Sequence, residues 1–347
     1  MTGGDELLVS VVITTYNRAD SLRVTLDALG RQTLSPARYE VLVTDDGSTD
    51  GTPDVLASTT LPCALRTFRH DANKGISAGR NLAIGHARGT YLVLVSDDVV
   101  VPEDFLVRHV ETLERFPRSW VVGGFRQLDS LLAKPFGRYI DNLERAFDAG
   151  RRSHPVERHV WEMSIPTARN LSLPRRDMDG IGMFDEQFRH SCEDQDLAHR
   201  AREAGIRFLY NDAIDCLHND HIDDLVRFCR QQRGFVCDGV LFCAKRPEIH
   251  GDFVVLRANR RIDRNDPISL RAKKAVKALL ARDPLLERLP AVARAAERLP
   301  VSDPILFRLY QAISSVYILR GVREGLDLVR QQKGEEAADR LGRPARV

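Results

Sequence analysis

The 347-residue chain is 43% hydrophobic and 29% charged, an ordinary soluble composition that suits one large α/β domain with an appendage, or two domains. Its formal net charge of +2 gives no global reason to expect nucleic acid, which calls for a strongly basic domain with interleaved aromatics. Cys63, Cys192, Cys216, Cys229, Cys237 and Cys243 form no Cys-x-x-Cys pair, so neither a disulfide framework nor a thiolate zinc site is expected, and a reducing cytosol fits best.

The acidic start, Met1 to Glu6, leads directly into a strand-like run and does not resemble a signal peptide. Val9 to Thr15 is a β-branched run suited to a strand buried on both faces, and the helix after it places Leu22, Leu26 and Leu29 on one side. Tyr39 to Thr44 reads as a second strand, with Thr52 as cap and Pro53 at the first position of the next helix. Ala64 to Phe68 reads as a third strand, Ile76 to Arg88 as a helix closed by Gly89, and Tyr91 to Val95 as a fourth strand. This alternation predicts a mostly parallel sheet flanked by helices, which binds ligands at the carboxyl ends of its strands. Three polar clusters fall at those ends: Thr14-Thr15-Tyr16-Asn17, Asp45-Asp46-Gly47-Ser48 and Ser96-Asp97-Asp98.

Beyond about residue 125 the pattern is irregular. A loop-rich stretch is expected from Gln127 to Pro166, then a strand from Thr167 to Leu173 and a turn at Asp179-Gly180-Ile181-Gly182. Ser191 reads as the N-cap of a capping box with Asp194 three residues on, and Leu197, Ala201 and Ala204 as the inner face of a helix closed by Gly205. A further strand-like piece precedes His218. From Asp266 the chain reads as helical, broken by Pro284, Pro290, Pro300 and Pro304. Arg257, Arg260, Arg261, Arg264, Arg271, Lys273, Lys274 and Lys277 form a basic region, either a solvated helix face or a surface that meets an anionic partner. Ile305 to Gly321 is apolar but carries Arg308, Gln311 and Arg320, too short and interrupted to span a bilayer; it reads as a core helix or an interfacial one.

Two carboxylates at the tip of a buried strand are costly to ionise side by side unless a divalent cation sits between them and a ligand. Asp97 and Asp98 therefore point to Mg2+ or Mn2+ and a phosphorylated substrate, with the imidazole of His218 or its neighbour His221 as a third ligand. Glu193 and Asp194, at a predicted helix start, read either as dipole caps or as a general base for an attacking hydroxyl. Asn73-Lys74-Gly75, with Arg80 and Asn81 beyond, offers donors to phosphate or to the acidic tip. Tyr16 can stack on a nucleobase, and Asp45 or Asp46 can accept from a base N–H or a ribose hydroxyl.

Taken in order, Val11 to Arg18, Asp45 to Thr52, Asn73-Lys74-Gly75, Ala78-Gly79-Arg80-Asn81, Gly89 to Asp98, Arg169 to Ser172, Gly182 to Glu186 and Glu193 to Leu197 resemble the family 2 glycosyltransferases over roughly residues 8 to 235. These are inverting enzymes of the GT-A fold. The resemblance implies an α/β, Rossmann-like, mostly parallel central sheet flanked by helices. It implies a glycosyltransferase domain over 1–250, with a nucleotide-sugar half at 8–125 and an acceptor half at 126–250, and a helical extension over 251–347. It also implies that Thr14, Thr15, Tyr16, Asn17, Asp45, Asp46, Lys74, Arg80 and Asp97 hold the nucleotide sugar, a UDP- or dTDP-sugar, and that Asp98 and His218 hold Mg2+ or Mn2+. Asp194 is then the base, with Glu193 beside it.

Two departures stand out. Ser96 replaces the first carboxylate of the usual Asp-x-Asp, and Gln231-Gln232-Arg233-Gly234 lacks the tryptophan of processive members, which favours transfer of a single sugar. A dehydrogenase is disfavoured because no Gly-x-Gly-x-x-Gly follows the first strand. A nucleotidyltransferase and a catalytically weak nucleotide-sugar-binding protein are the remaining alternatives. The acceptor stays open. A cytoplasmic protein is expected, with peripheral contact at the inner face of the membrane or homodimer contact through the C-terminal helices.

Overall fold

The computed structural model describes residues 6–189, 191–219, 224–249, 254–259, 262 and 266–342. Strands β1 (Val9–Thr15), β2 (Tyr39–Asp45), β3 (Ala64–Arg69) and β4 (Tyr91–Val95) alternate with helices α1 (Ala19–Leu29), α2 (Thr52–Ser58) and α3 (Ile76–Gly85). Next come β5 (Val99–Val100), α4 (Phe105–Arg115), β6 (Ser119–Gln127), α5 (Asp129–Leu132), α6 (Pro135–Arg151), β7 (Arg152–Glu157) and β8 (Val160–Met163). They are followed by β9 (Asn170–Pro174), α7 (Arg175–Ile181), α8 (Glu193–Glu203) and β10 (Arg207–His218). The remainder is helical: α9 (Leu225–Lys245), α10 (Val254–Ala258), α11 (Ile268–Leu280), α12 (Leu285–Glu297), α13 (Asp303–Lys333) and α14 (Glu335–Gly342).

The chain divides into two compact units. One holds the chain up to Leu132, Ile140–Arg189 and α8 with β10; the other holds Ala133–Tyr139 and the helices from α9 onward. Helix α9 thus groups with the C-terminal helices, whereas the expected boundary lay at residue 250.

In the first unit the strand order is β3-β2-β1-β4-β9-β6-β10-β8-β7, with β5 paired to β10. Pairing is parallel from β3 to β4, as the alternating strands and helices predict. Beyond β4 the sheet is mixed, because β9 inserts antiparallel between β4 and β6 while β6 and β10 run parallel. Side-chain alternation in the strands splits the core into two layers. Val9, Val11 and Ile13 pack with Leu22, Leu26 and Leu29 of α1 and with Phe105 and Leu106 of α4. Val12, Leu92 and Leu94 pack with Ala83 and Ile84 of α3 and with Leu197 and Ala201 of α8.

Several local expectations change. The stretch read as loop-rich contains α5, α6 and the β7–β8 hairpin, whose charged, half-exposed residues mask their periodicity. The turn at Asp179–Gly182 is the end of α7, closed by Gly182 in the left-handed region at φ 89°. Helix α8 starts at Glu193, so Cys192, at φ 69°, stands before it and Ser191 is not its cap. Ala204 is exposed, outside the buried face of α8. Gly51 precedes α2, and the Thr52 hydroxyl instead accepts from the Arg18 N–H at 3.3 Å.

In the second unit Val236, Val240 and Cys243 of α9 pack with Val322 and Val329 of α13 and with Ala338 and Leu341 of α14. Close approach is set by Gly321 and Gly325: a Cβ at Gly321 would lie 2.3 Å from the Arg233 carbonyl oxygen, and one at Gly325 2.7 Å from Val240 Cβ. Phe136, Tyr139, Phe228 and Tyr310 form an aromatic cluster with ring centroids 5.2–6.3 Å apart. The apolar run from Ile305 is therefore part of a core helix, and among the described residues no helix is long and apolar enough to cross a membrane. All six cysteines are free. His221, Arg260, Arg261 and Arg264 lie outside the described residues.

Candidate active site at the carboxyl edge of the sheet

The loops after β1 and β2 are laced together. Asn17, in the left-handed region at φ 52°, accepts from the Thr49 N–H at 2.7 Å through Oδ1, and its own N–H donates to Ser48 Oγ at 2.9 Å. Asp45 accepts from the Ser48 N–H at 2.8 Å and pairs with Arg69. Asp46 accepts from the N–H groups of Lys74 at 2.9 Å and Gly75 at 2.8 Å, and lies 2.8 Å from His70 Nδ1. Both buried carboxylates are thus occupied in fixing loops, a role that residue type and spacing did not reveal. Gly75, at φ 99°, brings that loop against Arg189, with the Ile76 N–H donating to the Arg189 carbonyl at 3.4 Å. Thr14 faces α3 at Gly79, where a Cβ would come within 2.3 Å of Thr14 Cγ2. Thr15 is buried, Lys74 is exposed, and the Tyr16 ring stands 44% exposed beyond the strand end.

The acidic tip of β4 is fixed by backbone pairing. Strand β5 pairs antiparallel with the end of β10, matching Val99 with His218, and the Asn219 N–H donates to the Asp98 carbonyl at 2.7 Å. This brings His218 Nε2 to 3.6 Å from Asp98 Oδ1. Both side chains are buried. Asp98 Oδ2 pairs with Arg18, whose Nη1 also lies 3.6 Å from Asp97 Oδ1. Burial alone would raise the Asp98 pKa, but His218 and the cations Arg18 and Arg169 outweigh it and hold the carboxyl well below its usual range. The same contact pushes His218 upward against its own burial. Asp98 Oδ1 is buried and accepts no hydrogen bond among the described residues.

Behind His218 lies a set of groups that residue spacing did not announce. Gln127 Nε2 lies 3.3 Å from His218 Nδ1 and donates to Glu144 at 2.6 Å, and Glu144 also accepts from Arg169 at 3.0 Å. Glu144 is 3.7 Å from His218 Nδ1. Burial works against its charge, and Arg169 and His218 prevail to lower its pKa. The opposite nitrogen of the imidazole is thereby oriented toward Asp98.

The second acidic group sits at the start of α8. Glu193 is buried and accepts from Arg80 at 2.7 Å; Asp194 is less buried and takes Arg80 at 3.2 Å and the Ala168 N–H at 2.9 Å. Arg80 is thus directed at this acidic pair, with its guanidinium 5.1 Å from the centroid of the Phe184 ring. Burial and the neighbouring Asp194 charge push Glu193 up to about 7, against the pull of Arg80. Arg151, also buried, was not anticipated: its Nε and Nη1 have no partner among the described residues. Burial lowers it to about 10 while Asp148 and Asp194 oppose.

One short segment links the two acidic groups. The Ala168 N–H holds Asp194, and the next carbonyl, that of Arg169, accepts from the Ser96 N–H at 3.1 Å. Ser96 thereby keeps the β4 tip in register with the segment that carries Asp194. Asp97, Asp98, His218, Glu193, Asp194 and Arg80 all belong to the first unit.

The family model for glycosyl transferase family 2 matches residues 10–184. Among similar proteins, YfnE of Bacillus subtilis, an uncharacterized glycosyltransferase, is 27% identical over 279 residues, covering 66% of this chain and 69% of YfnE. Validoxylamine A glucosyltransferase of Streptomyces hygroscopicus subsp. limoneus is 29% identical over 226 residues, and the aligned region spans only 49% of its length and 57% of this chain. A mannosyltransferase of Pyrobaculum calidifontis, solved with GDP-Man and Mn2+, superposes with a TM-score of 0.56 at 20% identity, covering 91% of this chain and 86% of that one. This likeness supports the α/β GT-A-like fold with a mixed central sheet and a C-terminal helical region.

Proposed function

The chain belongs to glycosyl transferase family 2 and is a glycosyltransferase, and we propose that it transfers one sugar, with inversion and with a bound divalent cation, from a nucleotide-diphospho sugar to an acceptor hydroxyl. The observation that carries this reading is the Ala168–Arg169 segment, which ties Asp194 to the strand tip bearing Asp98. An inverting displacement needs its base on the side of the sugar opposite the leaving group.

Asp98 and His218 would hold Mg2+ or Mn2+, and their chemistry fits: a carboxylate oxygen without a donor faces an imidazole nitrogen whose partner nitrogen is already oriented. Among the described residues no group of three or more His, Cys, Asp or Glu converges on a metal position, so phosphate oxygens and water would complete the coordination. The cation would supply charge neutralisation for the departing diphosphate.

The remaining work falls to side chains. Asp194 would take the proton of the acceptor hydroxyl; it is the more exposed of the acidic pair, and each oxygen is already steadied by one donor. Glu193, turned toward Arg80, would position that base rather than touch substrate. The exposed Tyr16 ring would stack on the nucleobase, with Thr14, Thr15, Asn17, Asp45 and Asp46 shaping its loops, Lys74 and Asp97 lying toward the phosphates and sugar, and Arg80 holding the Glu193 and Asp194 pair. Manganese and a nucleotide sugar are bound together in the Pyrobaculum mannosyltransferase, which supports a similar pairing here.

The test is to incubate the chain with UDP-, dTDP- and GDP-sugars, with Mn2+ or with chelator, and identify the phosphorus product. Release of a nucleoside diphosphate that stops with chelator is expected. Release of pyrophosphate would instead mark nucleotidyl transfer, and turnover indifferent to chelator would remove the cation.

A further inference from the structure

Helix α11 turns Lys274 and Lys277 inward and a stripe of apolar side chains outward. Ile268 is 84% exposed, Val276 57% and Leu279 51%, and Ala272 and Ala275 are exposed with them. The spacing i, i+4, i+7, i+8, i+11 places these five on one stripe. Exposed Arg271 and Lys273 flank that stripe, and the helix contains no acidic residue. On the other side Lys274 Nζ donates to buried Asp266 at 2.5 Å and Lys277 Nζ to Asn259 at 2.7 Å, while α11 packs against α12 and α13. A helix that only closes a soluble core has the reverse arrangement.

We propose that α11 docks the protein on an anionic lipid surface, its Ile268–Leu279 stripe entering the headgroup boundary and Arg271 and Lys273 meeting lipid phosphates. Apolar insertion combined with flanking cations is the pattern of helices that lie in a bilayer interface. The helix cannot span: it has 13 residues, and no described helix is long and apolar enough to cross. Charge decides against a second copy of the same helix as occupant, since pairing two such stripes would set Arg271 and Lys273 against like charges with no carboxylate on either helix. The proposal does not depend on the reaction assigned above.

The full chain would be mixed with sedimentable vesicles of phosphatidylcholine alone or with about a third phosphatidylglycerol. Binding to the anionic vesicles only, weakening with added salt, is expected. Arg271→Gln with Lys273→Gln should lower the partition coefficient about fivefold per charge. Ile268→Ser, Val276→Ser and Leu279→Ser together should lower it at least about tenfold. Circular dichroism melts should stay close to wild type, because all five positions are exposed. Three results would overturn the proposal: no binding to anionic vesicles, equal binding to neutral ones, or binding that the serine variant retains. A concentration-dependent dimer in sedimentation velocity that the serine variant abolishes would also overturn it, by giving the stripe to self-association.

Discussion

Nε2 of His218 stands 3.6 Å from Oδ1 of Asp98, a buried carboxylate oxygen that accepts no hydrogen bond among the described residues. Leaving a buried charge with an unsatisfied oxygen costs about 1–3 kcal/mol, a cost that a bound cation would remove. His218→Ala and Asp98→Asn should therefore each weaken Mn2+ binding by roughly 10- to 100-fold, read by calorimetry in the presence of a nucleoside diphosphate. Gln127→Ala should weaken it about tenfold by freeing the imidazole to turn. Unchanged affinity in His218→Ala would remove that residue from the site.

Asp194→Asn removes the basic oxygen and leaves one carbonyl oxygen to accept from either Arg80 or the Ala168 N–H, which bond different oxygens of Asp194. Turnover should fall about 10²–10⁴-fold, with KM for the donor changing far less, because the proton acceptor is the group that the reaction loses. A variant that kept full kcat would show that the base lies elsewhere.

Glu193 carries a pH signature. Its folded pKa, about 7, lies above its ordinary 4.5, so ionisation is harder in the folded chain than in the unfolded one. Its favourable contribution is full below pH 4.5, declines as the pH rises toward 7, and is gone above that. Glu193→Gln should flatten this part of the stability profile, gaining on wild type between pH 5 and 8 by on the order of 1–3 kcal/mol in denaturant titrations. Parallel profiles for the two proteins would contradict the assignment.

Asp46 holds two backbone N–H groups and faces His70 while itself buried, so Asp46→Ala leaves the N–H groups of Lys74 and Gly75 without their acceptor. A loss of about 2–4 kcal/mol is expected in thermal or denaturant unfolding, and Asp46→Asn should recover part of it through its one remaining carbonyl oxygen.

The parallel half of the sheet was legible because Val9–Thr15, Tyr39–Asp45 and Tyr91–Val95 are short apolar runs separated by helical periodicity, a local signal. The insertion of β9 between β4 and β6 was not, since it depends on pairing across some 50 to 80 residues that no spacing encodes. The candidate site followed the same division. Asp98, His218 and Asp194 announced themselves by residue type at strand and helix ends, whereas Glu144, Gln127 and Arg151 sit in a stretch whose charged residues looked like loop. Arg80 was read as a donor to phosphate or to the acidic tip because its type allows both; only the fold shows that it meets Glu193 and Asp194.

The same limit applied to the contact between α9 and α13. Gly321 and Gly325 are four residues apart on one face of α13, and a methyl at Gly321 would sit 2.3 Å from the Arg233 carbonyl oxygen, a backbone atom that cannot swing aside. The gain in helix propensity from Gly→Ala is about 1 kcal/mol, smaller than the displacement needed to restore contact distance. Gly321→Ala should therefore destabilise the helical unit by about 1–3 kcal/mol in denaturant unfolding, and Gly321→Val by more, while Mn2+ affinity of the folded protein, set within the other unit, stays at its wild-type value. If Gly321→Ala proved stabilising, the helices would have to stand further apart than the backbone contact at Arg233 allows.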